Sequence, residues 1–358
     1  MTGLRMRARV QRGGFSLDAE VTAPPGEVTA IVGPNGSGKS TLLRAVAGLE
    51  PVREGWVELD GRVLDDGGGV FIAPERRPIG MVFQDYLLFP HLSVQDNVAF
   101  GLRAQGASMR VARQRASEWL GEFDLADLAE RRPGQISGGQ AQRVALVRAL
   151  ATEPRALLLD EPLAALDAGT RADLRGDLGR RLRDFGGVTL LVTHDPLEAL
   201  ILADRVVVLD GGTVVQAGPM AQVAARPASP YVAALVGVNL LRGRASGGVI
   251  DLEQGGRLVV TGSLEGEVFA TVRPSAVTVH RHRPESSARN AWRATVRSLE
   301  DIGDRVRVDF TGEPGLRVDL TASAMAELGL AAGVDAWLSV KATEIDVYPA
   351  PAPHDIRL

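Results

Sequence analysis

Residues 27 to 41 read EVTAIVGPNGSGKST. A short β-branched run ends in Gly33, a glycine-rich turn follows, and STLLRAVAGL then shows helical apolar spacing closed by Gly48. The turn matches G-x-x-x-x-G-K-[ST] in the setting that gives the pattern its meaning, after a strand and at the opening of a helix. Glycines there let backbone N–H groups close around phosphate oxygens at a helix N-terminus, where the dipole favours an anion. Gly33, Pro34, Asn35, Gly36, Ser37, Gly38, Lys39, Ser40 and Thr41 are therefore the candidate phosphate-binding residues. Lys39 is placed to reach the β and γ phosphates, and Ser40 offers its hydroxyl to Mg2+. The plainer alternative, a glycine turn with a surface lysine, fits this context poorly.

The same strand-and-helix texture recurs. ALLLDEP (156 to 162) and VTLLVTHD (188 to 195) read as buried strands, preceded by the helical stretches AQRVALVRALAT and RADLRGDLGRRLRDFG. Alternating helices and apolar strands predict a parallel α/β sheet. Asp160 and Glu161 fall at the mouth of one apolar strand, where an unpaired carboxylate is costly. With the phosphate loop present, Asp160 is suited to hold Mg2+ through water, and Glu161 to orient or deprotonate an attacking water. His194 ends another strand, a natural position for a γ-phosphate contact. Ser137, Gly138, Gly139 and Gln140, in ISGGQAQR, precede a helix and form a second anion cradle without a lysine.

At 358 residues with 45% hydrophobic and 23% charged residues, the chain has material for two domains. After about Val236 the texture turns to short alternating strands with glycine turns, such as GEVFATVRP, DRVRVDF and AWLSVKATEIDVYP. The expected division is a nucleotide-binding domain over 1–235 and an all-β domain over 236–358. Zero cysteines exclude disulfides and thiolate metal sites, and fit a reducing compartment. A net charge of -4 gives no electrostatic footprint for nucleic acid. No run approaches the roughly 20 apolar residues that cross a bilayer, and Met1 to Arg12 is too short and basic for a signal peptide's apolar core. The chain is expected in the cytoplasm, reaching a membrane only through a partner.

With Gln84 in MVFQD and Asp167 ending ALD, the first 235 residues strongly resemble the ATP-binding cassette (ABC) ATPases, all motifs in order. Ile136 stands where that family's signature usually has leucine. The resemblance implies an ATP- and Mg2+-dependent enzyme whose cassettes pair head to tail, so that Ser137 to Gln140 of one copy face the ATP held by Gly33 to Thr41 of the other. By the same resemblance Glu161, His194, Gln84 and Asp167 serve catalysis, and Ser40, Gln84 and Asp160 hold Mg2+. The stretch DYLLFPHLSVQDNVAFGL would touch a membrane permease, although Tyr86, Leu88 and Phe89 suit a core cluster equally well. The family usually stacks adenine on an aromatic further upstream than Phe15, which leaves Phe15 a candidate for stacking or for core packing.

The C-terminal part adds a second resemblance. TVRPSAVTV looks like the corresponding strand of importer-type cassettes carrying an OB-like domain. SSARN, VDLTASAMAELGL and SVKATEI resemble the molybdate-binding Mop domain over 286–350. Of 40 basic residues only Lys39 and Lys341 are lysines. A compact ammonium approaches a small oxyanion end-on where a guanidinium fork does not. Ser287, Arg289, Thr321 and Lys341 are thus candidate oxyanion ligands; the bland alternative for Lys341 is a solvated strand lysine. Together these features imply the ATPase subunit of a molybdate importer, a homodimer on two permease subunits at the cytoplasmic face of the membrane, served by an external solute-binding protein. The alternatives are an importer of sulfate, ferric iron or another solute, a soluble oxyanion sensor, or an ABC ATPase of DNA repair or translation. The long heptad segments and tandem cassettes of the last two are not seen.

Overall fold

The computed structural model describes residues 3–164, 168–285 and 287–350. The chain divides into two compact units, Met1–Ala221 and Gln222–Ile356.

The first unit is built on a ten-stranded sheet. In chain order its strands are β1 (Leu4–Arg12), β2 (Phe15–Ala23), β3 (Val28–Val32), β4 (Glu54–Leu59), β5 (Arg62–Asp65), β6 (Ile79–Val82), β7 (Ala156–Asp160), β8 (Val188–Val192), β9 (Arg205–Asp210) and β10 (Thr213–Pro219). In space they run β5-β4-β1-β2-β10-β9-β3-β8-β7-β6. The β9-β3-β8-β7-β6 half is parallel, the expected α/β arrangement. Its helices are α1 (Lys39–Ala47), α2 (Val94–Ala104), α3 (Met109–Glu122), α4 (Gly138–Leu150), α5 (Ala168–Phe185) and α6 (Pro196–Leu202).

Strands β3, β7 and β8 are buried at every position, as continuous apolar runs must be when helices cover both faces. Alternate residues feed two cores. Leu157, Leu159 and Leu191 join the side chains of α2 to α5, while Leu158, Leu190 and Val192 join α1 and the antiparallel strands. β1 alternates instead, with Leu4, Met6, Ala8 and Val10 inward. Its outward arginines pair with acids on neighbouring strands, Arg9 with Asp18 at 2.9 Å and Glu54 at 3.0 Å. Such exposed pairs contribute little, because water screens both partners.

One buried arginine matters more. The Arg77 side chain is wholly inaccessible to solvent. It donates to Ala45 and Val46 carbonyls at the end of α1 (3.0 and 2.7 Å), and its Nε donates to Ile72 O at 2.8 Å. Asp65 lies 3.8 Å away. Ala45 O also accepts from the capping Gly48 N–H at 3.1 Å, so the guanidinium adds a second donor there and satisfies Val46 O, a helix-end carbonyl that burial would otherwise orphan.

The second unit contains α8 (Pro230–Leu235), α9 (Ala322–Leu328) and ten strands: β11 (Asn239–Ser246), β12 (Val249–Leu252), β13 (Arg257–Val259), β14 (Gly266–Val272), β15 (Thr278–His280), β16 (Asn290–Asp301), β17 (Val306–Gly312), β18 (Leu316–Leu320), β19 (Asp335–Val340) and β20 (Ile345–Pro349). Helix α7 (Met220–Ala225) spans the division between units. The strands form two antiparallel sheets, β13-β12-β11-β14-β20 and β15-β19-β16-β17-β18, around one apolar core. This is the all-β architecture expected from the alternating pattern.

Replacing Arg77 by methionine leaves the buried Asp65 charge without its cation, though it still accepts from Val52 N and Gly67 N, and leaves Val46 O without its donor. The first unit should lose about 3–5 kcal/mol of stability, read from urea unfolding, because breaking a buried pair from one side exposes the full desolvation cost. A loss below about 1 kcal/mol would show that the guanidinium is replaceable by apolar volume.

Candidate functional site

The parallel strands end together, and the candidate residues follow from their carboxyl ends. Gly33 follows β3, Asp160 closes β7 with Glu161 next, His194 lies two residues beyond β8, and Gln84 two residues beyond β6. In spatial order these strands are β3, β8, β7 and β6, so four loops meet along one edge, where open α/β sheets bind ligands.

The phosphate loop has the expected strand-turn-helix form. Gly33 has φ 153°, and a Cβ there would sit 2.0 Å from Leu209 O. Gly38 caps α1 with φ 105°, in the left-handed region that glycine tolerates. Lys39 is buried, its Nζ donating to Gly33 O and Pro34 O at 2.9 Å each. Burial lowers its pKa, while Glu161 and Asp160 oppose that shift. The loop opens into a cavity of about 430 Å³ whose walls include Arg12, Phe15, Asn35, Lys39, Thr41 and Glu161. Phe15 therefore faces the phosphate loop, although it also packs partly on the core.

The acids converge on this cavity. Ser40 Oγ donates to Asp160 Oδ1 at 3.3 Å. Burial and then the Glu161 charge raise the Asp160 pKa, opposed by the Ser40 hydrogen bond, Arg44 and Lys39. Glu161 adopts φ 48°, unusual for a residue with a side chain, and its N–H donates to Val192 O at 2.9 Å. Its carboxylate lies 3.0 Å from His194 Nδ1. Hydrogen bonding and proximity thus link Ser40, Asp160, Glu161, His194 and Lys39. Gln84 is exposed beyond β6, and Asp167 lies outside the described residues.

The signature stands apart from that cavity. Ser137 caps α4: its Oγ accepts from the Gln140 N–H at 3.3 Å, and Gln140 Oε1 accepts from the Ser137 N–H at 2.9 Å. The two side chains satisfy each other, Gly138 remains exposed and Gly139 is buried. Among the described residues, none of Ser137 to Gln140 lines the phosphate-loop cavity.

The stretch after Gln84 divides its side chains. Tyr86 is buried, and Leu88 packs against the core. Leu87 and Phe100 are exposed, at 54% and 46%. Arg148 holds the turn by donating to Tyr86 O and Leu87 O at 2.7 and 2.8 Å.

The second unit has its own cleft, of about 390 Å³. Ser287 and Lys341 line it together, with Ser275, Thr278, His280 and Ser339, and Glu344 adds a carboxylate. His280 Nε2 lies 2.9 Å from Ser339 Oγ. Arg289 and Thr321 are not among the lining residues. Thr321 instead caps α9, accepting from the Ala324 N–H at 3.2 Å. The neighbouring Asn290 is buried, its Oδ1 accepting from Val259 N and its Nδ2 donating to Val259 O and Val340 O. It fastens β13 to the sheet that carries the cleft. Sequence reasoning passed over Asn290, His280 and Ser339, whose partners are 31 to 59 positions away.

Comparison with known proteins agrees with this geometry. Residues 17–164 match the ABC transporter family model, and residues 286–347 match the TOBE domain. The chain is 42% identical over 368 residues to the molybdenum import ATP-binding protein ModC of Mycobacterium tuberculosis, covering 99% of both. The chain belongs to the ABC transporter family. It is also 39% identical over 306 residues to the sulfate/thiosulfate import ATP-binding protein CysA of Nocardia farcinica, covering 85% of this chain and 86% of that one. A dimeric post-hydrolysis structure of the cassette MJ0796, bound to ADP and Pi, is 30% identical with a TM-score of 0.52, covering 61% of this chain and 98% of that one. As an ABC import-type ATP-binding protein, the chain binds and hydrolyses ATP.

The raised Asp160 pKa carries a stability consequence. Because the folded state binds this proton more tightly than the unfolded one, stability falls as pH rises from the ordinary carboxylate value of about 3.9 through the folded value. Asp160→Asn removes that cost. At pH 7 the variant should unfold at higher denaturant than the parent, the difference vanishing below about pH 3.9, while ATP turnover is lost at every pH. Equal stability of the two at pH 7 would contradict the buried-carboxylate account.

Proposed function

We propose that this chain is the ATP-hydrolysing subunit of a molybdate importer, its first unit the cassette and its second an oxyanion-responsive β domain. The observation that carries the cargo assignment is the 42% identity to the molybdenum import protein, which runs through both units.

In the proposed mechanism Gly33 to Thr41 cradle the ATP phosphates, with the Lys39 ammonium between β and γ. Its bonds to Gly33 O and Pro34 O keep that ammonium on the loop, at small cost to turn towards phosphate. Ser40, Gln84 and Asp160 would hold Mg2+, the first and last already sharing a hydrogen bond of 3.3 Å. An oxygen-only donor set of this kind suits that hard cation, which neutralises charge on the phosphate oxygens. Glu161 orients the attacking water. His194, 3.0 Å from Glu161, meets the γ-phosphate and fixes the carboxylate's direction. The Ser137 to Gln140 cradle completes the site from a second copy, which makes hydrolysis a property of the homodimer, and Asp167 joins the catalytic set. The mutual capping of Ser137 and Gln140 supports that role, since it uses their own N–H groups and leaves those of Gly138 and Gly139 for phosphate.

Leu87 and Phe100 offer exposed apolar surface in the stretch that follows Gln84, which suits two permease subunits in a membrane that a peripheral ATPase does not enter; an external binding protein would deliver cargo. No helix among the described residues is long and apolar enough to cross a membrane. In the second unit Ser287 and Lys341, with the hydroxyls of Ser275, Thr278 and Ser339, supply donors for a tetrahedral dianion. Arg289 and Thr321 would join only through rearrangement or a second copy.

A second reading, sulfate import, draws on the 39% identity to the sulfate/thiosulfate protein. Calorimetry of the full-length protein against molybdate, tungstate and sulfate separates the two. Saturable heat with molybdate and tungstate, absent in Lys341→Ala, is the expected result; heat with sulfate alone would favour the second reading, and no heat would remove the β domain from cargo recognition. For catalysis, Glu161→Gln should retain ATP binding and form an ATP-stabilised dimer while turnover falls at least about 100-fold. Unchanged turnover would remove Glu161 from the reaction.

A further inference from the structure

A hydroxyl group clamps the peptide on either side of His194. Thr193, 1% exposed, lies between β8 and His194. Its Oγ1 donates to Glu198 Oε2 at 2.6 Å and accepts from the Asp195 N–H at 3.0 Å. The residues before and after His194 are therefore tied to one oxygen. Asp195 in turn caps α6, its Oδ1 accepting from the Leu197 N–H at 2.8 Å. Its other carboxylate oxygen lies 3.9 Å from Arg171 of α5.

Glu198 is 3% exposed, one turn into α6, and a buried carboxylate is expensive unless it does something for its surroundings. Burial raises its pKa and the Asp195 charge adds to that, while the Thr193 hydrogen bond, Arg171 and His194 favour its charged form. A carboxylate needed only to fill this space would be replaceable by leucine or methionine. A carboxylate needed to hold an oxygen at 2.6 Å is not. The His194 side chain is 54% exposed, so little packing holds its ring, and its backbone and the Glu161 contact set where the imidazole lies.

We infer that the Thr193–Glu198 pair is a positioning device for His194, holding its backbone so that the imidazole reaches both Glu161 and the γ-phosphate of ATP. The inference rests on the role proposed above for His194. Thr193 and Glu198 touch neither nucleotide nor water in this scheme, so their effect must pass through His194. A misplaced group in an active site costs rate far more than it costs binding.

The test is ATP turnover by the full-length protein in Thr193→Val, Thr193→Ser, His194→Ala and the Thr193→Val/His194→Ala double variant. Thr193→Val keeps the shape and loses the hydroxyl, and kcat should fall about tenfold with the KM for ATP within about twofold. Thr193→Ser should restore most of the rate. In the His194→Ala background the same valine should cost less than about twofold, because two residues acting through one imidazole are not additive. If Thr193→Val fails to fold, Glu198→Asp takes its place, since it retains the charge but is too short to reach the hydroxyl. Equal losses in both backgrounds, or full activity in Thr193→Val beside a slow His194→Ala, would overturn the inference alone. Full activity in His194→Ala would overturn the reading of His194 itself.

Discussion

The guanidinium of Arg77 grips the last carbonyls of α1, and that grip sets where the opposite end of the helix points. A helix of nine residues is too short to hold itself in water, so its axis is decided by packing and by its ends. The apolar face of α1 packs on Ile31, Leu158 and Leu190, whose strands also end at Gly33, Asp160 and His194. The same contacts that bury Leu42 and Leu43 thus fix the distance from the phosphate loop to the acids. Stability and reactivity are coupled here through one rigid body rather than through a chain of polar contacts.

That coupling makes the charged cluster tolerable. Lys39, Asp160 and Glu198 are all under 10% exposed, and in each case burial is the largest influence on the pKa, working against the charged form. Burial works against the charged form of each, and neighbours oppose it: Glu161 and Asp160 for Lys39, Ser40 and Arg44 for Asp160, Thr193 and Arg171 for Glu198. Such a site is poised for a ligand that brings its own strong charge. A triphosphate would add anionic partners to Lys39, and a cation held beside Asp160 would favour its charged form.

Legibility in the sequence followed range. The phosphate loop, the paired acids and the signature were readable because each places its chemistry within a few residues of a strand end or a helix start, and glycine spacing reports backbone shape directly. The parallel sheet was readable from ALLLD and VTLLV, five residues buried throughout. Arg77 was not. In the sequence it is one arginine in ERRP, and its partners Ala45, Leu64 and Asp65 are brought to it only by the fold. The His194 clamp is subtler, because THDPLE is contiguous, yet nothing in a threonine and a glutamate five residues apart says that both are buried. In the second unit the lysine that stood out for rarity does share a cleft with Ser287, whereas Thr321 was drawn towards a ligand role when its local job is to cap α9.

In the dianion site proposed for that cleft, charge cannot be what distinguishes one tetrahedral dianion from another. Lys341 contributes one positive charge, and Glu344, at the end of the same turn, brings one negative charge to the same walls. Both are exposed, where water weakens each and their effects on a bound anion largely cancel. What remains is a set of hydroxyls from Ser275, Thr278, Ser287 and Ser339, with Ser339 held in place by His280. Hydroxyls select by the spacing of their oxygens, so discrimination must track anion size. Molybdate and tungstate, nearly equal in size, should then bind alike, and the smaller sulfate should leave some of those donors out of reach. An ammonium without hydroxyls would draw all three equally, which is why loss of binding in Lys341→Ala and selectivity among the parent's ligands report on different parts of the same cleft.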